Sequence, residues 1–223
     1  ADKLSGMCKT DRESYEKYWD DISPFIKFGC LKDEKFCHKM SDYMLFKNLE
    51  HKYLTLKDIA GEKPEKEEGK EIEKKTIFYV TDEQQQGQYI NMFKAENMDA
   101  VLLTHNIDSA FISQLEQRNE HVKFQRIDAD LTEQFKEEVS EDDEKALEEK
   151  KETLTEVFRK ALSNEKLEVK VEKLKNENVA SMVTLSEESR RMQEMMKMYN
   201  MYGMDPSMFG TDVTLVLNAN HPL

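Results

Sequence analysis

His105 and Asn106 are the residues whose types and position most resemble an enzyme site. They follow the apolar run DAVLLT, which predicts a buried strand. Ligands commonly bind beyond the carboxyl ends of parallel strands. Catalysis there would need an acid, a base or a nucleophile beside the imidazole, and the sequence offers only Thr104 and Asp108. A small α/β enzyme with its site near His105 is therefore one candidate function, and a solvated loop is the alternative.

Motifs for cofactors and metals are absent from the sequence. It contains no GxxxxGK[ST], no GxGxxG and no HExxH, and its seven glycines do not cluster into a phosphate-binding loop. Cys37-His38 is the only neighbouring Cys/His pair, and it has no further ligands close by. Cys8, Cys30 and Cys37 are odd in number and irregularly spaced, which favours reduced thiols in a cytoplasmic protein. We expect no cofactor and no metal in this chain.

A methionine-rich segment, SRRMQEMMKMYNMYGMDPSMFG, spans residues 189–210. As a helix it carries more apolar side chains than one face can hold, so some must be exposed or must contact a partner. Thioether side chains are flexible and repack around different shapes, which suits weak binding to many apolar partners. The alternatives are an ordinary core stripe and a structural dimerisation module that buries the helix against itself. The residues concerned are Met192, Met195, Met196, Met198, Tyr199 and Met201.

Composition excludes several classes of function. The net charge of −13 argues against nucleic-acid binding, because a phosphate backbone requires a basic surface. No run of about eighteen apolar residues is present, so we expect no membrane span, and no signal peptide is recognisable. The chain begins in what resembles the middle of a helix and stops directly after a strand-like run. We therefore expect a piece of a longer protein.

The first part of the chain predicts helices followed by a small sheet. Residues 1–60 have apolar stripes at helical spacing, one of them formed by Tyr15, Tyr18, Trp19 and Ile22. Ser23 and Pro24 suit the N-cap and the first residue of a new helix, with Gly29 as a possible break. Residues 61–75 are charged and of low complexity, which indicates a surface loop. The runs TIFYVT, DAVLLT and VKFQRI then alternate with two helical stretches, which predicts a parallel sheet with right-handed crossovers.

The second part of the chain predicts a separate domain. Acidic residues outnumber lysines from residue 128 to residue 152, which indicates a solvated boundary. LEVKVEKL and VASMVTL read as two strands that pair around the turn KNEN. Ser186 suits the N-cap of the methionine-rich helix, with two acids in the first turn, and DVTLVLNANHPL is a last strand.

The predicted fold class is α/β, or α+β for the whole chain. A helical segment leads into a small three-stranded parallel α/β/α subdomain, and a separate ββαβ domain follows. The helices lie in residues 1–60 and the subdomain in 76–127, which together form a first domain of residues 1–127. An acidic linker covers 128–145, and the last domain covers 146–223.

Several strings of the chain resemble the heat shock protein 90 chaperone family, in particular its bacterial members. ADKLSGMCKTDRESYEKYWDDISPFIKFGCLKDEKF is similar to the helical part of the family's middle domain. IFYVTDEQQQGQYINMFKAENMDAVLLTHNIDSAFISQL is similar to its α/β/α subdomain, while SEESRRMQEMMKMY and VTLVLNANHPL resemble its C-terminal domain. The resemblance covers nearly the whole chain in the family's order.

The resemblance implies the C-terminal part of a middle domain joined to a truncated C-terminal domain. The parent would be an ATP-dependent molecular chaperone that assists protein folding in the stress response, and it would act in the cytoplasm as a homodimer. ATP and Mg would belong to an N-terminal domain outside this chain, so this fragment would have no enzymatic activity. Its partners would be unfolded or partly folded client proteins, with no nucleic acid and no membrane.

The resemblance also implies two client-binding surfaces. One is the methionine-rich helix, at Met192, Met195, Met196, Met198, Tyr199 and Met201. The other lies on the second helix of the α/β/α subdomain, at Ser109, Ala110 and Ser113. Some family members have an acid and a tryptophan where this chain has Ser109 and Ala110, so the sequence departs from the family at this second surface.

Overall fold

A computed structural model describes residues 1–62, 64, 73–129, 135–198 and 213–222, with side chains except at 141, 142 and 193–198. The chain divides into two compact units. The first comprises Ala1–Ile90 and Asp99–Ile127, and the second comprises Asn91–Met98 and Asp128–Leu223. Most of the predicted loop 61–75 lies outside the described residues.

The first unit begins with three helices, α1 (Asp2–Thr10), α2 (Arg12–Lys32) and α3 (Glu34–Met40). The side chain of Asp11 caps α2 by accepting a hydrogen bond from the Ser14 amide, and Asp33 caps α3 in the same way through the Phe36 amide. These acids favour the helix starts because they satisfy amides that have no partner within the helix. Buried residues of all three helices share one hydrophobic core with residues of the sheet.

Helix α2 runs without interruption through Pro24, so the predicted helix start at Ser23 is wrong. Proline in a helix interior costs about 3 kcal/mol because it removes one hydrogen bond and crowds the preceding turn. Trp19 before Pro24 and Ile26 after it are both buried on the same face, and this packing outweighs the local cost. Ser23 is itself buried within α2.

Five strands form the sheet of the first unit: β1 (Leu45–Asn48), β2 (Tyr53–Thr55), β3 (Lys75–Val80), β4 (Val101–Leu102) and β5 (Val122–Arg126). Their spatial order is β2-β1-β4-β3-β5. Strand β3 is parallel to both β4 and β5, which confirms the predicted parallel strands. Strand β1 adds an antiparallel edge by pairing with β4 and β2. The sequence analysis had placed residues 45–48 within the helical range 1–60, because a short apolar run fits either period.

Three helices complete the first unit, although the last residues of one of them belong to the second. They are α4 (Leu56–Ala60), α5 (Gly87–Ala95) and α6 (Asp108–Arg118). Thr55 and Asp58 form a reciprocal capping box at the start of α4. Phe46, Phe111 and Phe124 are almost completely buried in one continuous core.

The second unit contains α7 (Glu141–Leu162), β6 (Glu168–Glu172), β7 (Ser181–Leu185), α8 (Glu187–Met198) and β8 (Val213–Asn218). The predicted ββαβ order is confirmed, but the predicted hairpin between the first two strands is wrong. Strand β8 lies between them, parallel to β6 and antiparallel to β7. The sequence carries a sign of this arrangement: β8 (VTLVLN) is nearly continuously apolar, as a central strand covered on both faces requires, whereas β6 alternates.

Asn218 at the end of β8 fixes the connection between β6 and β7. Its side-chain amide donates hydrogen bonds to the carbonyl oxygens of Asn176 and Val179, at 3.0 and 2.8 Å. Its side-chain oxygen accepts hydrogen bonds from the amides of Leu174 and Asn220, both at 3.0 Å. The connection can therefore be buried with its polar groups satisfied.

The predicted acidic linker, residues 128–145, has regular structure at both of its described ends. Asp128, Ala129 and Phe135 are buried, and Lys136 forms a β-bridge with Leu174. Ser140 caps α7, which begins at Glu141 inside the predicted range. The division into segments that fold independently stays a prediction, with segments 1–127, 128–145 and 146–223.

Candidate client-binding surfaces

Side-chain contacts hold the start of α8 in place. The Ser189 amide donates a hydrogen bond to the Ser186 hydroxyl at 3.2 Å, as expected for the predicted N-cap. Glu187 and Glu188 occupy the first turn, where the helix dipole favours negative charge. Arg191 and Glu187 form an ion pair at 2.7 Å across one turn of the helix.

A nearly buried ion pair anchors the first turn of α8 within the second unit. Arg190 Nη2 lies 3.0 Å from Asp128 Oδ2, and both side chains are largely shielded from solvent. Shielding strengthens the attraction, and it makes the loss of either partner costly. The helix therefore starts from a fixed position.

Met192 follows directly after this anchored turn and is 44% exposed. This exposure fits the expectation that one helical face cannot bury all the apolar residues of the methionine-rich segment. Met195, Met196 and Met198 belong to α8, but their side chains are not among those described. Tyr199 and Met201 lie outside the described residues.

The second predicted surface lies on α6 and is only half-exposed. Ser109, Ala110 and Ser113 are all of intermediate burial, and the Ser113 hydroxyl donates a hydrogen bond to the Ser109 carbonyl at 2.9 Å. Phe111 and Leu115 on the other side of α6 are core residues, in agreement with their spacing. The surface offers small, mostly polar groups, and it contains no large apolar anchor.

The surroundings of His105 do not form a catalytic arrangement among the described residues. Asp108 Oδ1 lies 2.5 Å from Lys27 Nζ, and both side chains are at most 5% exposed. Asp108 Oδ2 accepts a hydrogen bond from the His105 amide at 2.9 Å and lies 3.8 Å from His105 Nδ1. The carboxylate is therefore committed to the Lys27 ammonium and to the start of α6. No group of three potential metal ligands occurs in the described part of the chain.

The three cysteines are free and buried. Burial, together with a smaller contribution from the neighbouring Cys37 thiol and against the effect of Arg118, raises the pKa of the Cys30 thiol to about 12. A thiol with so high a pKa is a poor nucleophile and a poor metal ligand at neutral pH. The geometry therefore gives Cys30 and Cys37 a packing role.

An exposed group of aromatic residues on α2 was missed by the sequence analysis. Tyr18 had been placed on the buried stripe, but it is 50% exposed, and Phe25 and Phe28 are 79% and 54% exposed. Trp19 and Ile26 occupy the buried face of the same helix. The signal was present in the spacing, because Phe25 and Phe28 do not fall in phase with Trp19 and Ile26.

The sequence matches the family model described as Hsp90 protein over residues 3–223. The chain therefore belongs to the Hsp90 family of chaperones. Chaperone protein htpG of Bacteroides fragilis is 32% identical over 233 residues, and Chaperone protein HtpG of Porphyromonas gingivalis is 29% identical over 235 residues. Each alignment covers 100% of this chain and 33% of the relative. The chain thus spans about a third of the length of these relatives.

One solved structure, the middle domain of a heat shock protein of Plasmodium falciparum, is similar over 57% of this chain and 52% of that chain. The sequence identity is 14% and the TM-score is 0.41, so this likeness carries no weight beyond the family match. Among the described residues, no helix is long and apolar enough to cross a membrane.

Proposed function

We propose that this chain binds unfolded or partly folded polypeptides through α8, as the client-binding part of an ATP-dependent chaperone of the stress response. The observation that carries the proposal is the exposed Met192, which follows a turn anchored by Arg190 and Asp128. Family membership supports the chaperone role. ATP hydrolysis, homodimer formation and cytoplasmic location are proposals for the whole protein, and we place nucleotide and Mg binding in regions outside this chain.

The chemistry of α8 suits weak and broad binding. Full burial of a methionine side chain contributes about 1.5–3 kcal/mol, and partial burial contributes less. Several flexible thioethers together can hold different apolar segments without selecting one shape. An anchored first turn keeps this surface in place while the side chains rearrange.

Ser109, Ala110 and Ser113 are a second proposed client contact of lower affinity. The small side chains there can contact an extended polypeptide mainly through hydrogen bonds. Binding at α6 alone should therefore be weaker than binding at α8.

The test is the triple substitution Met195→Gln, Met196→Gln and Met198→Gln. We expect the affinity for an unfolded model protein to fall about tenfold or more, since each lost apolar contact removes part of its burial energy. The melting temperature should change little, because glutamine is a good helix former. Fluorescence anisotropy with a labelled, permanently unfolded protein measures the first quantity, and calorimetry measures the second.

Met182 in β7 provides the matched control, because it is a buried core methionine of the same unit. Met182→Gln should lower the melting temperature strongly. A triple variant of α8 that loses stability to the same degree but keeps its client affinity would show that these methionines are core residues. Loss of self-association in sedimentation, with unchanged client affinity, would favour the dimerisation alternative.

A further inference from the structure

The outward side of α2 carries three large aromatic residues and one acid. Tyr18, Asp21, Phe25 and Phe28 recur at intervals of three and four residues, so they share one side of the helix. We call Tyr18, Phe25 and Phe28 the aromatic face. Asp21 is exposed and lies between Tyr18 and Phe25 along the helix.

The core of the first unit does not require the aromatic face. The opposite side of α2 supplies the buried residues, which include Tyr15, Trp19 and Ile26. The three rings of the aromatic face are 50–79% exposed. Groups of large exposed apolar side chains on a folded unit mark interaction surfaces.

The charged residues around the aromatic face indicate what kind of partner could bind there. The Asp21 side chain has no ion pair or hydrogen bond with any other described residue, although the exposed Lys17 lies only one turn away. The ammonium group of Lys32 lies 5.7 Å from the centre of the Phe28 ring, so a cation of the chain itself already contacts this ring, whereas the other two rings of the aromatic face have no such contact among the described residues. Aromatic ring faces carry negative electrostatic potential, and a neighbouring carboxylate adds to it.

We propose that the aromatic face binds an extended polypeptide segment in which a lysine or an arginine lies next to apolar side chains. The cation contacts Asp21 and the ring face of Tyr18. The apolar side chains cover Phe25 and the exposed part of Phe28. The net charge of −13 favours the approach of such basic segments over acidic ones. The partner class rests on the proposed binding of unfolded polypeptides, but the surface is distinct from α8.

The test uses two labelled twelve-residue peptides that share the same leucines and differ only in lysine or glutamate at the charged positions. Fluorescence anisotropy should show that the unaltered chain binds the lysine peptide at least tenfold more tightly. Asp21→Asn should weaken lysine-peptide binding about three- to fivefold, as expected for an exposed cation site. The double variant Phe25→Ser and Phe28→Ser should weaken it about tenfold or more, since it removes the apolar contacts.

Glu13→Gln is the matched control, because Glu13 is an exposed acid of α2 two turns away from Asp21. It should leave peptide affinity unchanged, and urea unfolding of both variants checks that neither change disrupts the fold. Equal binding of the two peptides, or equal effects of Asp21→Asn and Glu13→Gln, would overturn the inference. The inference would also be overturned if the double variant lost self-association in sedimentation but kept the peptide affinity of the unaltered chain.

The α8 triple variant separates this inference from the proposed function. If lysine-peptide binding persists in that variant and depends on Asp21, the aromatic face is an independent site. If peptide binding depends only on α8, the inference is overturned while the proposed function stands. If the unfolded protein binds equally to the unaltered chain and the triple variant, the proposed function fails, whatever the peptides show at α2.

Discussion

Lys27 and Asp108 form a buried ion pair that joins α2 to the start of α6. Removing two charges from water costs several kcal/mol each, and this cost is offset by their close mutual contact and by the hydrogen bond from the His105 amide to Asp108. Asp108, the acid closest to His105 in the sequence, therefore serves to hold α2 and α6 together. The Lys27 ammonium also lies 5.9 Å from the centre of the Phe111 ring.

Replacement of Lys27 by methionine should destabilise the first unit by about 3–5 kcal/mol, because it leaves the Asp108 carboxylate buried without its partner. The double variant Lys27→Met and Asp108→Leu should recover part of that loss. Urea unfolding of both variants measures the difference. Equal stability of the single variant and the unaltered chain would mean that water reaches Asp108.

Cys30 should make the stability of the first unit depend on alkaline pH. Burial raises the pKa of its thiol from 9.0 to about 12, so the folded chain keeps a proton that the unfolded chain releases. The resulting stabilisation is complete below about pH 9 and is lost as the pH rises towards 12. We expect the unfolding free energy to fall less steeply over this range in Cys30→Ala. Identical slopes for the two proteins would contradict the assignment.

At the scale of the elements, Gly29 determines how closely α3 can approach α2. A Cβ atom at Gly29 would lie 2.9 Å from Cε1 of Phe36, a distance that real contacts do not tolerate. The residue predicted to break α2 therefore lies within the helix and provides space for an aromatic ring. Helix propensity alone would favour alanine here by about 1 kcal/mol.

Gly29→Ala should consequently destabilise the chain by about 1–3 kcal/mol, because the clash with Phe36 exceeds the gain in helix propensity. Adding Phe36→Leu should restore part of the stability by making room for the new methyl group. Thermal unfolding of the two variants provides the measurement. A Gly29→Ala protein that is more stable than the unaltered chain would show that α3 can shift freely.

At the scale of the whole molecule, the two compact units are not two continuous segments of the sequence. Asn91–Met98 belongs to the second unit although the residues on both sides belong to the first. Phe93 packs against Phe135 within the second unit, with ring centres 5.2 Å apart. A fragment that starts at residue 128 would therefore lack part of its own core.

Limited proteolysis tests the predicted boundaries. We expect the first cleavages within 61–75 or 128–145, where charged residues dominate the sequence. Mass spectrometry of the early fragments identifies the sites, and the same digestion in urea gives the pattern for unprotected chain. First cleavages inside 76–127 would contradict the division.

Local signals in the sequence predicted those features that depend on neighbouring residues. The three apolar runs that alternate with helices indicated parallel strands, because buried parallel strands need continuous apolar residues and a helical crossover. Ser186 before two acids predicted the start of α8, since a cap depends only on the first turn. The crowding of methionines likewise predicted that some of them must be exposed or contact a partner, because a helix has a limited buried face, and Met192 is exposed.

Only the tertiary structure decided the features that depend on residues far apart in the chain. The continuity of α2 through Pro24 reflects packing on both sides of the proline, which no local preference contains. The place of β8 between β6 and β7 is decided by which strand can be covered on both faces. Asp108 pairs with Lys27 from another helix, and Tyr18 is exposed because the core lies towards Trp19. Long-range contacts have no fixed spacing in sequence, so the sequence alone determined most of the elements, and the tertiary structure determined their continuity, their pairing and which of their faces stayed exposed.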